Sequence, residues 1–189
     1  MWALVESGSV SKIYAQPKKL TLGDVNYPSN IFTMWTSSEL EAIGIYEVVI
    51  NNTNFKDPKY YINTNQSFAF SSGTVTATYG TATAKDLADK TVDGVVTRGL
   101  KYTHSEKIDS QAYGLLQPND WMVVRNAESS KAIPSDWLDY RVAVRTAASN
   151  MRTKINAVAN VDALAALYVY NDATPPVRPL GDWPTEPTS

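Results

Sequence analysis

Apolar positions recur with different periods in the two halves of the chain. Through residue 80, short runs alternate apolar with polar side chains, whereas from residue 97 onward apolar positions recur about every 3.6 residues. The polar stretch between them is predicted to be a connection, helical in part. The pattern predicts an α+β fold with these parts: a small β-rich N-terminal domain over 1–80, a connecting segment over 81–96, a helical C-terminal module over 97–170 and an extended proline-rich tail over 171–189.

Two turn sequences in the first half indicate β-hairpins. Residues 6–9, Glu-Ser-Gly-Ser, separate two β-prone runs. Residues 72–73, Ser-Gly, lie between two alternating runs, and a two-residue loop there pairs Phe70 with Val75. A three-residue loop would instead pair Phe70 with Thr74. The shorter loop is favoured because it places apolar side chains opposite one another.

A short helix is predicted to follow Thr36. The Thr36 side chain would accept a hydrogen bond from the backbone N–H of Glu39, and the Glu39 carboxylate would reach back to Thr36, as in a capping box. Gly44 is placed to end this helix, because glycine adopts the left-handed conformation common at helix ends. The next run, 45–50, is apolar on both faces, which is typical of a central strand.

Two apolar stripes predict helices in the second half. The first stripe consists of Leu100, His104, Ile108, Ala112 and Leu115. The second consists of Trp137, Tyr140, Val144, Ala147, Met151, Ile155 and Val158. Pro118 is predicted to end the first helix, because proline cannot continue the backbone hydrogen-bond ladder. Asn119 or Asp120 is predicted to cap the helix that follows, and Asp162 to cap a last short one.

Of the three tryptophans in the second half, two lie in predicted helices and one lies in the tail. Trp121 and Trp137 are predicted to be mostly buried against the 100–115 helix, since all three segments present apolar side chains that need covering. The tail after Asn171 holds five of the ten prolines, so it is expected to lie extended. Trp183 therefore has little core of its own, and two placements are open: an intramolecular groove and a partner surface.

Charge and cysteine content narrow the classes of function. The formal net charge is −2 with no basic stripe, which argues against a nucleic-acid partner. With no cysteine and one histidine, disulfides and thiolate sites are excluded and no metal or organic cofactor is predicted, although an oxygen-only Ca²⁺ or Mg²⁺ site stays open. The N-terminus lacks a secretory-signal pattern, and no stretch approaches the roughly 20 apolar residues of a membrane helix. No membrane partner is expected.

Catalytic chemistry finds little support in the sequence. The single histidine, His104, lies on an apolar stripe, so a core position is predicted rather than a catalytic one. No nucleophile elbow, Walker loop or dinucleotide fingerprint occurs. The aspartate pairs at 86 and 89 and at 136 and 139 have spacings that are common on solvated helix faces. The chain is therefore predicted not to be an enzyme.

Charged residues near the helices admit two interpretations each. Asp120 and Glu128 flank Arg125, and they form either a helix cap with surface ion pairs or a lock between two helices. Arg141 and Arg145 lie one helical turn apart. They are either solvated or form a rigid docking edge for a carboxylate-bearing partner.

One ordered set of residues extends through the helical half and the tail: Leu115-Leu116, Asp120-Trp121, Pro134, Trp137, Tyr140-Arg141, Arg145 and Trp183-Pro184. In order and spacing this set resembles the phage tail assembly chaperone family, which includes tail fibre assembly proteins, over residues 110–150 and the tail. The segments 1–6, 26–28 and 44–46 look like the small N-terminal domain of phage tail-region proteins. The chain departs from the short chaperones by its β-rich first half and by a helical insert over 150–170.

The resemblance implies a non-enzymatic bacteriophage protein that binds a tail or tail-fibre subunit during assembly in the host cytoplasm. The departures favour an alternative: a permanent virion structural protein, such as an adaptor, fibre-associated or decoration subunit, in a homo-oligomer or the virion. A third interpretation is an enzyme acting on a surface glycan. The predicted partner-binding residues combine the matched positions with side-chain types enriched at interfaces: Tyr140, Arg141, Arg145 and Trp183.

Overall fold

The chain is an α+β protein, as the change of period predicts. The computed structural model describes residues 1–188. The chain forms two compact units, Met1–Thr83 and Ala84–Ser189. The first unit is β-rich and the second is mainly helical, so the predicted fold class is confirmed.

The first unit is built around a five-stranded sheet. The strands of the whole unit are β1 Trp2–Glu6, β2 Ser9–Tyr14, β3 Leu20–Leu22, β4 Val25–Tyr27, β5 Ile45–Asn51, β6 Tyr61–Ile62, β7 Gln66–Ser71 and β8 Thr74–Tyr79. Its helices are α1 Ile31–Met34 and α2 Ser37–Ala42. The sheet has the order β2-β1-β5-β8-β7, in which β5 and β8 run parallel and the other neighbours antiparallel. The predicted central position of β5 is confirmed.

Both predicted hairpins form, with two-residue turns of the same kind. Ser7 and Gly8 join β1 to β2, and Ser72 and Gly73 join β7 to β8. All four turn residues have positive φ, which matches the right-handed twist of the flanking strands. Phe70 faces Val75 in the second hairpin, so the predicted register is confirmed.

The sheet buries apolar side chains on both faces because successive residues of a strand point to opposite sides. One face packs against α1 and α2 through a cluster of Leu4, Tyr14, Leu20, Ile31, Phe32, Leu40 and Ile45. The other face carries Ala3, Val48, Val75 and Ala77, with Tyr46, Phe68 and Phe70 packed around them. The first unit therefore has a core of its own.

The predicted capping box at the start of α2 is confirmed. The backbone N–H of Glu39 donates to the Thr36 hydroxyl at 3.3 Å, and the Thr36 N–H donates to Glu39 Oε2 at 2.7 Å. These hydrogen bonds to the carboxylate hold the pKa of Glu39 below its ordinary value. Gly44, at φ +79°, follows the end of α2 as predicted.

The second unit consists of helices preceded by a small hairpin. Its strands are β10 Lys90–Val92 and β11 Val95–Thr97, and a short strand β9, Thr83–Ala84, spans the boundary between the units. Its helices are α3 Leu100–Leu116, α4 Asp120–Ser129, α5 Ser135–Ala157 and α6 Val161–Ala166, with a 3₁₀ turn at Gln117–Asn119. The predicted ending of α3 next to Pro118 is confirmed, and α3 packs against α5.

The prediction of helix in the 81–96 segment is wrong, because this stretch forms the β10–β11 hairpin. Its strands are exposed at every residue, so no alternation of apolar and polar positions marks them. Asp93 and Gly94 form the turn, both with positive φ. The hairpin leads directly into α3.

The chain before the hairpin satisfies the first backbone N–H groups of α3, whose N-cap residue, Gly99, has no side chain to do so. The N–H groups of Leu100 and Lys101 donate to the carbonyls of residues 86 and 87 at 2.9 and 3.0 Å. The Gly99 N–H donates to Asp89 Oδ1 at 2.8 Å. That hydrogen bond and the adjacent Arg98 hold the pKa of Asp89 below its ordinary value.

Both predicted apolar stripes face the helical core. The buried residues are His104, Ile108 and Ala112 on α3 and Tyr140, Arg141, Val144, Ala148, Met151 and Ile155 on α5. Asn160, not Asp162, caps α6, because its side chain accepts the Ala163 N–H at 2.8 Å. Asp162 falls inside the first turn of α6, beyond the position from which a side chain caps the helix.

The tail contains no helix or strand over residues 171–188, as its proline content predicts. Ser189, the last residue of the predicted tail, lies outside the described residues. The tail is nevertheless held in place. Leu180 is 1% exposed, and its N–H donates to the Leu167 carbonyl at 2.9 Å. The Lys154 ammonium donates to the carbonyls of Pro179 and Leu180 at 2.7 and 3.3 Å.

Candidate partner-binding site

Arg141 is a structural residue at the junction of three helices. It is 4% exposed on α5. Its guanidinium donates to Asp120 Oδ1 at 2.7 Å and to the Leu116 carbonyl at 3.1 Å. It thereby joins α5 to the end of α3 and the start of α4. Both sequence interpretations of Arg141, as solvated or as a docking edge, are wrong, because the side chain is buried.

Asp120 belongs to the same junction. The predicted helix cap at Asp120 is wrong, because Asp120 is the first residue of α4 and bridges to Arg141, while the N-cap residue, Asn119, makes no side-chain capping hydrogen bond. The alternative interpretation, a lock between two helices, describes the contact, but the partner is Arg141 and not the nearby Arg125. The Asp120 side chain remains 49% exposed, whereas that of Arg141 is 5% exposed.

Tyr140 is also buried. It is 5% exposed, and its ring meets Trp137 edge-on at 5.9 Å between centroids. Burial raises the pKa of the Tyr140 phenol, and the Glu186 carboxylate raises it further. Trp137 itself is half-buried, in keeping with its predicted place on the α5 stripe. A partner therefore cannot reach the Tyr140 ring directly.

Arg145 and Trp183 keep accessible side chains. Arg145 is exposed on α5, and its guanidinium makes a long hydrogen bond of 3.4 Å to the Arg141 carbonyl. Trp183 is half-buried in the tail, which Leu180 and Lys154 fasten to the helices. The partner-binding prediction thus loses Tyr140 and Arg141 and stays open for Arg145 and Trp183.

The most exposed tryptophan of the described residues lies on α4. Trp121 is 53% exposed, so the prediction that it is mostly buried is wrong. The Arg125 guanidinium carbon lies 4.7 Å from the Trp121 ring centroid, and Val124, on the same side of the helix, is 54% exposed. Met122 instead supplies the buried side chain of this helix. Trp121, Val124 and Arg125 are called the α4 surface below.

The chemistry of the α4 surface suits protein contact. An indole with an arginine stacked on it offers a flat apolar face and a cation that can still donate hydrogen bonds. Trp and Arg are the side chains that most often dominate binding energy at protein interfaces. In the sequence, the spacing i, i+3, i+4 indicates that these three residues lie on one side of a helix. The spacing does not show whether that side is buried or exposed, because the run 121–124 is apolar throughout.

His104 occupies the core, as predicted. It is 6% exposed on α3, and its Nδ1 lies 2.6 Å from the Tyr168 hydroxyl. The two rings also pack, with centroids 5.1 Å apart. The contact links α3 to the segment that follows α6, so His104 has a clear packing role.

The described residues hold neither a metal-binding cluster nor a helix that could cross a membrane. Over residues 1–188, no cluster of three or more His, Cys, Asp or Glu side chains is arranged to hold a metal ion. None of the helices in that same range is both long enough and apolar enough to cross a membrane. No protein-family model, no curated protein and no solved structure matches the chain.

Proposed function

We propose that this chain is a non-enzymatic bacteriophage protein that acts in tail or tail-fibre assembly by binding a tail or fibre subunit. The proposal rests on the ordered residue set that runs from Leu115 to Pro184 and resembles phage tail assembly chaperones. It also rests on the position of an accessible aromatic and cationic surface within that set. Asp120 and Arg141, two members of the set, hold the helices that carry this surface.

The single structural observation that supports partner binding in this proposal is the exposure of the α4 surface. Trp121 leaves more than half of its surface in water although it could bury a large apolar area. An exposed tryptophan stacked by an arginine favours association with another protein. Arg145 and Trp183 are the further residues expected to contribute, because their side chains are accessible in the same unit.

A capture experiment tests the proposal. The purified chain would be immobilised and exposed separately to the tail and fibre subunits of the same phage, with its major capsid protein as the control. We expect a saturable complex with one tail or fibre subunit and none with the capsid protein. Failure to bind any tail or fibre subunit would refute the proposed function.

The second candidate is a permanent virion structural protein. The first unit favours it, because a separate β-rich body with apolar clusters on both sheet faces goes beyond a short chaperone. Quantitative mass spectrometry of purified particles separates the two candidates. An assembly factor is absent from particles or present in less than stoichiometric amount, whereas a structural subunit is present at a fixed ratio to the tail proteins.

A further inference from the structure

The first unit contains a groove beside the edge of its sheet, remote in sequence from the α4 surface. Its volume is about 640 Å³, within the roughly 300–1,000 Å³ of small-molecule sites. We call it the lysine groove. Its lining includes Lys12, Lys19, Thr21, Asn26, Tyr27 and Pro28. Two of these side chains carry a positive charge and none carries a negative one.

The edge strand β2 and the β3–β4 hairpin build the lysine groove. β2 is the outermost strand on one side of the five-stranded sheet, and β3 and β4 form a separate two-stranded sheet. Lys12 lies on β2, and Lys19 directly precedes β3. The two ammonium-bearing side chains therefore reach the groove from different elements of the fold.

The β3–β4 hairpin is anchored in the core of the first unit. Leu20 is 7% exposed and belongs to the cluster that packs α1 and α2 on the sheet, and Tyr27 packs against that cluster. The Tyr27 ring also meets Trp35 edge-on at 5.8 Å between centroids. Across the hairpin, the Thr21 hydroxyl donates to Asn26 Oδ1 at 2.7 Å. The groove is therefore formed before any ligand arrives, which lowers the entropy cost of binding.

Positive charge is concentrated around the groove. Residues 1–83 contain five lysines and no arginine, and three of the lysines stand at positions 12, 18 and 19. The ammonium groups of Lys12 and Lys18 lie 5.6 and 5.4 Å from the centroid of the same Tyr14 ring. Among residues 1–188, none of the three lysines takes part in a salt bridge, and Asp24, the nearest acid in sequence, does not line the groove. Like charges gathered without a carboxylate attract an anion.

The type of cation indicates which anion fits the groove. Arginine matches a planar carboxylate through a fixed pair of N–H groups, whereas a lysine ammonium acts as a point charge. Lys12 and Lys19 approach from separate elements, so they do not form such a planar pair. They suit a phosphate ester, which carries a charge of about −1.5 to −2 at neutral pH on oxygens that accept from several directions.

The rest of the lining indicates what carries the phosphate. The groove is larger than a phosphate group, so its ligand has a second part. Thr21 and Asn26 are exposed and bring a hydroxyl and an amide, which pair with hydroxyl groups of a ligand. Half-buried Tyr27 and exposed Pro28 add apolar surface. We propose that the lysine groove binds a sugar phosphate, with the phosphate at the two lysines and the sugar at the hairpin.

This inference goes beyond the proposed function, because it concerns a different unit and a small molecule instead of a phage subunit. Its test is therefore independent of the capture experiment. The full chain, labelled with ¹⁵N, would be titrated separately with glucose 6-phosphate, glucose, inorganic phosphate and glucuronate. The readout is the backbone amide signals of Lys19, Thr21 and Asn26. We expect saturable shifts with glucose 6-phosphate, weaker binding of inorganic phosphate and glucuronate, and no shift with glucose.

Lysine variants test the assignment of the phosphate. Lys12→Gln and Lys19→Gln should each weaken binding of glucose 6-phosphate about tenfold, the loss of one charge-assisted contact. Lys56→Gln is the matched control, because Lys56 is also exposed and lies over a tyrosine, 4.4 Å from the Tyr61 ring centroid, but does not line the groove. It should leave the affinity unchanged.

Four results would overturn the inference. One is the absence of a saturable shift with glucose 6-phosphate. Another is equal affinity for inorganic phosphate or for glucuronate, which would remove the sugar or the phosphate from the assignment. The third is unchanged affinity in either Lys12→Gln or Lys19→Gln. The fourth is an equal loss in Lys56→Gln, which would assign the attraction to the charge of the whole unit. The remainder of the ¹H–¹⁵N spectrum reports whether each variant keeps its fold.

Discussion

Replacing Gly99 by alanine perturbs the start of α3 because the added Cβ clashes with neighbouring atoms, not because the backbone angles exclude alanine. Gly99 has φ −81°, which any residue adopts. A Cβ at this position would lie 2.4 Å from the Ala88 carbonyl carbon and 2.5 Å from the Leu87 carbonyl oxygen. Both are backbone atoms, so no side chain can rotate away. The 86–89 segment must move, and the contacts that it makes with the first turn of α3 are lost.

The magnitude follows from the hydrogen bonds at stake. Three backbone N–H groups, at Gly99, Leu100 and Lys101, donate to the 86–89 segment at 2.8, 2.9 and 3.0 Å. Each such bond contributes on the order of 1 kcal/mol. We therefore expect Gly99→Ala to lower the free energy of unfolding of the second unit by about 3 kcal/mol. Urea denaturation followed by circular dichroism at the helix band measures this change.

Gly114 provides a matched control on the same helix. It is exposed within α3, and a Cβ there meets no atom within 4 Å. Gly114→Ala should stabilise the helix by about 0.5–1 kcal/mol, because alanine has the better helix propensity. The two substitutions are chemically identical and should act with opposite signs. A Gly99→Ala protein as stable as Gly114→Ala would refute the role assigned to the 86–89 segment.

The remaining predictions concern single contacts. Asp120→Ala should lower the unfolding free energy by about 1–2 kcal/mol in denaturant titrations, less than for a fully buried pair, because Asp120 is half-exposed while Arg141 stays buried. Leu180→Ala should cost about 2–4 kcal/mol in the same assay, because Leu180 anchors the tail in the core. Since the folded-state pKa of Glu39 is lowered, its contribution is present at neutral pH and is lost as pH falls through that pKa. Glu39→Gln should therefore flatten the acid limb of the Tm–pH profile.

Each of these predictions has its own contradicting result. Unchanged stability in Asp120→Ala would mean that water replaces the carboxylate at Arg141 without loss. Full stability in Leu180→Ala would mean that the tail is not part of the folded core. Parallel Tm–pH profiles for Glu39→Gln and the unmodified chain would show that the Glu39 carboxylate adds nothing to folding.

Local chemistry made some features predictable from sequence. The register of Phe70 against Val75 follows from a two-residue turn, and the capping box follows from a three-residue spacing. The β10–β11 hairpin was missed because its strands are exposed throughout. Its Asp93-Gly94 turn, flanked by β-branched residues, was the signal that could have revealed it.

Contacts between residues far apart in the chain could not be predicted from the sequence. The Arg141–Asp120 bridge spans 21 positions, and nothing local distinguishes Arg141 from the exposed Arg145 one turn later. The choice between Trp121 and Met122 as the buried residue of α4 is made by packing against other elements, because both are apolar. Glu47 lies beside Trp2 only through pairing of β1 with β5.

The most direct measurement is the affinity of the captured tail or fibre subunit for variants of the α4 surface, determined by calorimetric titration. Trp121→Ala should weaken binding by at least about thirtyfold, which corresponds to the roughly 2 kcal/mol of an interface hot spot. Tyr102→Ala is the control, because Tyr102 is also a partly exposed aromatic residue, with Arg98 stacked on it at 4.1 Å, but lies on α3. It should leave the affinity unchanged. Equal affinity of Trp121→Ala and the unmodified chain would contradict the assignment of the α4 surface as the partner-binding site.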